Sequence, residues 1–184
     1  MNAGKAGIAA IVMGVSGSGK TTVGRALAEW IHAAFVEGDD LHPPANRQKM
    51  ASGTALQDVD RWPWLDAIGR QIAISFEEHG SVIAACSALK RSYRQRLAAA
   101  SGLPLSFVLL HGDRHILGER LAARRGHFMP ASLLESQLST LELPGRDESS
   151  IILNTAERPA SLVGQAADFL RMPFANANNT ENPR

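Results

Sequence analysis

The chain has 184 residues, 45% of them hydrophobic, and a formal net charge of +1. That length suits one domain with a sizeable core, and the dispersed, nearly balanced charge excludes the basic field on which nucleic-acid binding rests. A single cysteine excludes an internal disulfide and any Cys-x-x-Cys metal framework, and fits a reducing compartment.

The first apolar run, residues 8–13, is short and unbroken, as a buried parallel strand is. It leads straight into Gly14-Val15-Ser16-Gly17-Ser18-Gly19-Lys20-Thr21, which fits G-x-x-x-x-G-K-[ST]. The run therefore reads as a core strand and not as a signal peptide. Beyond the motif, Val23, Leu27, Trp30 and Ile31 share one helical face. A strand, a glycine-rich loop and a helix N-terminus together point unpaired N–H groups and a positive dipole end at an anion. This pattern implies a bound nucleoside triphosphate held by Gly14, Val15, Ser16, Gly17, Ser18, Gly19, Lys20, Thr21 and Thr22. Lys20 is expected at the β- and γ-phosphates and the Thr21 hydroxyl on Mg²⁺.

Residues 33–37 read as a second strand ending at Gly38-Asp39-Asp40, and residues 41–57 as loop with a short helix. Pro63 is expected as the first residue of a helix running to about His79, with Asp60 capping near its start. Strands are expected at 81–86, 105–110 and 150–154, and helices at 90–100, 113–125, 131–142 and 159–171. Gly126 to Pro130 breaks the helical pattern, and the tail from Pro173 has the composition of a disordered segment. No apolar run reaches the ~20 residues of a membrane span, so a soluble, cytoplasmic protein is expected. Alternating strands and helices give an α/β fold: a five-stranded parallel sheet with helices on both faces and right-handed crossovers. Ligands then gather beyond the carboxyl ends of the strands.

That rule places several loops in one cleft. Asp39 and Asp40 end the second strand where an acid is needed beside Mg²⁺ or the attacking hydroxyl, and Asp39 is favoured for both roles. The run Asp58-Val59-Asp60-Arg61-Trp62-Pro63-Trp64-Leu65 combines acids, an arginine and indoles, a set suited to a polyol. A capped helix start with a core tryptophan is the competing explanation. Ser87 at a strand end, followed by Lys90 and Arg94 one turn apart, offers a cationic face for a carboxylate or phosphate. Cys86 reads as packing. Arg120 and Arg124, also i and i+4, are candidates for stabilising charge on a transferring phosphoryl group, and His127 and Gln137 for touching the second substrate. A nucleotide switch is disfavoured, because there is no Asn-Lys-x-Asp base-reading motif and no Asp-x-x-Gly after the third strand.

The runs Gly38-Asp39-Asp40-Leu41-His42-Pro43, Asn46-Arg47-Gln48-Lys49-Met50, Asp58 to Leu65, Cys86-Ser87-Ala88-Leu89-Lys90, Gly126-His127-Phe128-Met129 and Gln137 to Glu142 occur here together. With them, the chain resembles gluconokinases of the small P-loop type, relatives of shikimate and adenylate kinases, over about residues 8–172. The resemblance implies MgATP-dependent phosphorylation of the 6-hydroxyl of D-gluconate, a lid at about 120–140 and often a homodimer. Lys49, Arg61, Trp64, Lys90, Arg94, Asp40, His42, Asp60 and Ser87 would then line an acceptor site for an anionic polyol. Spacing alone leaves shikimate, another anionic polyol, as an alternative acceptor.

Overall fold

The computed structural model describes residues 7–123 and 131–172. Five parallel strands, β1 (Ala9–Met13), β2 (Ala34–Glu37), β3 (Val82–Ala85), β4 (Ser106–His111) and β5 (Ser150–Asn154), form one sheet in the order β2-β3-β1-β4-β5. Ala9 pairs with Val82 on one side of β1, and Ala10 with Ser106 on the other.

Every residue of β1 is buried because both faces of the sheet are covered. Ala9, Ile11 and Met13 alternate onto the face packed by α3 (Asp58–His79) and α4 (Arg91–Ser101), alongside Trp64, Leu65, Ile68 and Leu97. Ala10 and Val12 point the other way, toward α1 (Lys20–Ile31) and α7 (Pro159–Arg171), where they meet Val23, Leu27, Leu162 and Ala166. The remaining helices are α2 (Pro44–Ala51), α5 (Arg114–Ala122) and α6 (Ala131–Thr140). A smaller apolar cluster of Val15, Leu89, Leu117 and Leu134 joins α5 and α6 to the glycine-rich loop.

The expected strands and the last helix are present. Pro63, however, lies inside α3, which begins five residues earlier. The Gln57 side chain accepts from the Asp60 N–H while the Asp60 carboxylate accepts from the Gln57 N–H, a reciprocal cap that fixes the start upstream of the proline. The missing Pro63 N–H then costs one bond near the end of a 22-residue helix held by packing. The expected break at 126–130 and the tail from Pro173 lie outside the described residues, as do Arg124 and His127.

Candidate active site

The loop between β1 and α1 is built as its glycines require. Gly14 and Gly17 hold φ of +139° and +81°, and a Cβ on Gly14 would lie 2.6 Å from the Leu110 carbonyl. The Gly14 N–H donates to the Ser87 carbonyl at 3.2 Å, which ties the loop to the end of β3. Lys20 Nζ donates to the Val15 carbonyl at 3.0 Å, and the Ser16 N–H donates to Gln137 Oε1 at 2.7 Å.

Beside this loop lies a cavity of about 340 Å³, lined among others by Gly19, Thr22, Arg120, Thr155 and Pro159. Its far wall is the loop after β5. The Thr155 N–H donates to the His111 carbonyl at 2.9 Å, and Arg120 Nη2 donates to the Thr155 carbonyl at 2.7 Å. Arg120 therefore lines this cavity together with Gly17, Ser18 and Gly19 of the phosphate loop and holds its wall.

On the opposite side of the loop, residues Gly38–Leu41 form a single 3-10 turn. Trp64 Nε1–H donates to the Gly38 carbonyl at 2.8 Å, and the Trp64 indole stacks on His42 with ring centroids 4.1 Å apart. Trp64 is 1% exposed, so it braces the turn from beneath and offers no face to a ligand, contrary to the sequence expectation. Arg47 fastens the turn from α2, donating to the carbonyls of His42 at 3.0 Å and Asp40 at 2.5 Å. Burial pushes the His42 imidazole down to about 4, Asp39 opposes that shift, and Arg61 and Arg47 add to it. His42 is therefore neutral at pH 7, and its buried Nδ1 has no partner among the described residues.

Lys20 and Asp39 act electrostatically, in opposite senses, on the Cys86 thiol at the end of β3. The thiol itself is buried and pushed up to about 12 by that burial, which leaves it a packing group. Ala88, two residues on, is buried at φ +43°, a strained conformation for a residue with a Cβ and one that collects at functional sites.

The cations of this region divide sharply. Lys90 donates to both Asp58 oxygens at 2.8 Å, and Tyr93 Oη–H donates to Asp58 Oδ1. Lys90 foremost, then Tyr93, holds the Asp58 carboxyl below its ordinary range. Lys49 pairs with Asp60 at 2.6 Å, so Asp60 is occupied as cap and ion-pair partner. Arg94 departs furthest from expectation. Its side chain is 1% exposed, and it donates to both Glu148 oxygens and to the Glu142 carbonyl. It lies beneath the cleft, on the α4 stripe shared with Leu97, and cannot meet a ligand carboxylate. Arg61 donates only to the Leu56 carbonyl, at 3.3 Å, and has no carboxylate partner among the described residues. Its guanidinium lies 5.7 Å from the Tyr93 ring centroid, and its charge bears on His42, Asp58, Asp60 and Cys86.

The Gly14–Ser87 bond joins the phosphate loop to the end of β3, and the Trp64–Gly38 bond sets the turn that carries Asp39 and His42. Arg120 lines the cavity beside the loop, and Gln137 bonds to Ser16. The partners of Arg47, Asp58 and Tyr93 have no signal in the sequence. Arg47 and Asp58 stand inside quoted runs, but the pairing of Asp58 with Tyr93 across 35 residues has no local signal.

The chain is 50% identical to a gluconokinase of Gluconobacter oxydans over 153 residues, covering 81% of this chain and 83% of that protein. It belongs to the gluconokinase family. The thermoresistant gluconokinase of Escherichia coli K12 is 44% identical, covering 81% of this chain and 85% of its own length. The crystal structure of a gluconokinase from Sinorhizobium meliloti 1021 superposes with a TM-score of 0.81 at 47% identity, covering 91% of this chain and 93% of that one. A broader family model, described as an AAA domain, matches residues 10–144. Gluconokinase family membership agrees with the sheet order, the phosphate loop and the flanking polar wall. Among the described residues, no helix is long and apolar enough to cross a membrane.

Proposed function

We propose that this chain transfers the γ-phosphoryl group of ATP to the 6-hydroxyl of D-gluconate, giving 6-phospho-D-gluconate and ADP. The observation that supports the acceptor assignment is Arg61, a guanidinium without a carboxylate partner among the described residues, whose charge acts on the His42 imidazole and on Cys86 at the end of β3. An anionic polyol needs one fixed cation for its carboxylate and polar groups for its hydroxyls. Arg61 supplies the first, and His42, Asp40 and Ser87 the second, while Lys90 and Asp58 shape the rim. The alternative acceptor, shikimate, meets the same cation but is not what the relatives act on by name.

Adenosine occupies the cavity walled by Arg120 and Thr155. Lys20 exchanges the Val15 carbonyl for the β- and γ-phosphates. The Thr21 hydroxyl and Asp39 carboxylate, both hard oxygens, would hold Mg²⁺. That set fits an ion which takes one or two protein oxygens and completes its shell with phosphate and water. When bound, Mg²⁺ neutralises charge on the phosphates. Asp39 holds the 6-hydroxyl in line and takes its proton as the new P–O bond forms and the bond to the β-phosphate oxygen breaks. Arg124, for charge on the transferring phosphoryl group, and His127, for contact with gluconate, complete the proposed set and lie outside the described residues. The enzyme is taken to act in the cytoplasm as a homodimer, which sedimentation of the purified protein checks.

The test is a panel of gluconate, shikimate and AMP with ATP, following ADP release. Gluconate should exceed the others in kcat/KM by at least a hundredfold. Comparable rates with shikimate would overturn the acceptor assignment.

A further inference from the structure

We propose that Gln137 is a positioning residue for the nucleotide: its side-chain carbonyl sets the conformation of the phosphate loop by accepting the Ser16 N–H. The inference rests on the phosphate-loop assignment and is independent of the acceptor's identity.

The bond joins residues 121 apart, at 2.7 Å, and is partly buried. Because the donor is a backbone N–H, the amide oxygen must face it, which fixes the orientation of the Gln137 amide. Gln137 sits on α6 one turn from Leu134 (i−3) and from Leu141 (i+4), just past the helix end, both of which pack in the cluster with Val15 and Leu89. A polar residue within an apolar stripe needs a partner there, and Ser16 provides it.

The helix that carries Gln137 is itself pinned. The Glu142 N–H donates to the Leu89 carbonyl at 2.8 Å, Glu142 Oε2 accepts from the Arg91 N–H at 2.7 Å, and Arg94 Nη1 donates to the Glu142 carbonyl at 3.0 Å. The acceptor oxygen is therefore presented from a fixed frame. Within the loop, the Ser18 N–H turns back on Val15, while the N–H groups of Gly17 and Gly19 have no acceptor among the described residues. Gln137 takes the Ser16 N–H and leaves those of Gly17 and Gly19 to the phosphates. Preorganised donors bind without reorganising first, so the expected benefit lies in nucleotide affinity.

The experiment compares wild type with Gln137→Met, which keeps shape and removes the acceptor, and Gln137→Glu, which keeps an acceptor oxygen. Without nucleotide, Ser16 amide exchange followed by NMR should be slow in wild type and Gln137→Glu, and at least tenfold faster in Gln137→Met. By titration, Gln137→Met should bind a non-hydrolysable ATP analogue about three- to tenfold more weakly, the range one net hydrogen bond allows. Its gluconate affinity and thermal midpoint should stay near wild type. Equal exchange in wild type and Gln137→Met, or analogue affinity within twofold of wild type, would overturn the proposal. A parallel loss of gluconate affinity would overturn it too, by reporting a general structural defect.

Discussion

Arg94 and Glu148 meet as a two-pronged ion pair, Nε to Oε1 at 2.6 Å and Nη2 to Oε2 at 2.9 Å, with the arginine side chain 1% and the glutamate 11% exposed. Burial alone would raise the Glu148 carboxyl, but the Arg94 hydrogen bonds, with the Gly145 N–H, overcome it and hold the carboxyl below its usual range. The pair locks the segment leading into β5 onto α4, beneath the acceptor wall.

Arg94→Ala should therefore act on stability. Leaving Glu148 buried without its partner costs roughly 3–5 kcal/mol. At temperatures where the variant stays folded, its gluconate KM should remain within about twofold of wild type. Denaturant unfolding and initial rates check this, and the double variant Arg94→Met/Glu148→Leu should recover most of the loss. A selective rise in gluconate KM would return Arg94 to the acceptor site.

Arg61→Ala should raise the gluconate KM by about ten- to a hundredfold, the worth of a charge-assisted hydrogen bond to a carboxylate. The ATP KM should change little. Equal effects on both substrates would remove Arg61 from carboxylate recognition.

The contrast between Arg61 and Arg94 shows what the sequence could and could not convey. The fold was legible because the strands are short apolar runs and because β5 and α7 are bounded by polar residues and Pro159. The cleft is an expectation from the strand ends, two of which the Gly14–Ser87 bond joins. Lys90 and Arg94 read as one cationic face because they lie one turn apart. Yet Arg94 also falls three residues before Leu97 and seven before Ser101, on the buried stripe of α4. Only its partner 54 residues away decides that it is buried. Trp64 was ambiguous for a similar reason: an indole N–H satisfied by Gly38 26 residues earlier leaves no mark at its own position.

His42 predicts a specific pH dependence of stability. Its folded-state value of about 4 lies below the ordinary 6.5, so the unfolded chain takes up the proton first. The stabilisation is complete above pH 6.5 and is lost as pH falls toward 4, to the extent of roughly 2–3 kcal/mol. The wild type should lose this much more than His42→Gln between those pH values in denaturant titrations. Parallel curves would mean that the imidazole is not held neutral.

Gly112→Ala should disturb the nucleotide side. A Cβ there would lie 1.8 Å from Thr155 Oγ1, so the wall held by Arg120 must shift. The expected outcome is about 1–3 kcal/mol of destabilisation, as for other overpacked sites, with a larger rise in ATP KM than in gluconate KM. An unchanged ATP KM would separate this loop from nucleotide binding.

The central claim is that one cleft holds a triphosphate on bare amide groups and a sugar acid's terminal alcohol in line with it. Phosphorus NMR of the reaction with ATP and gluconate tests this directly. The wild type should give one new phosphomonoester, coupled to the two protons of C6 and formed one-to-one with ADP, and Lys20→Ala should slow its appearance by at least a hundredfold. Formation of inorganic phosphate alone, at a rate indifferent to gluconate, would contradict the account.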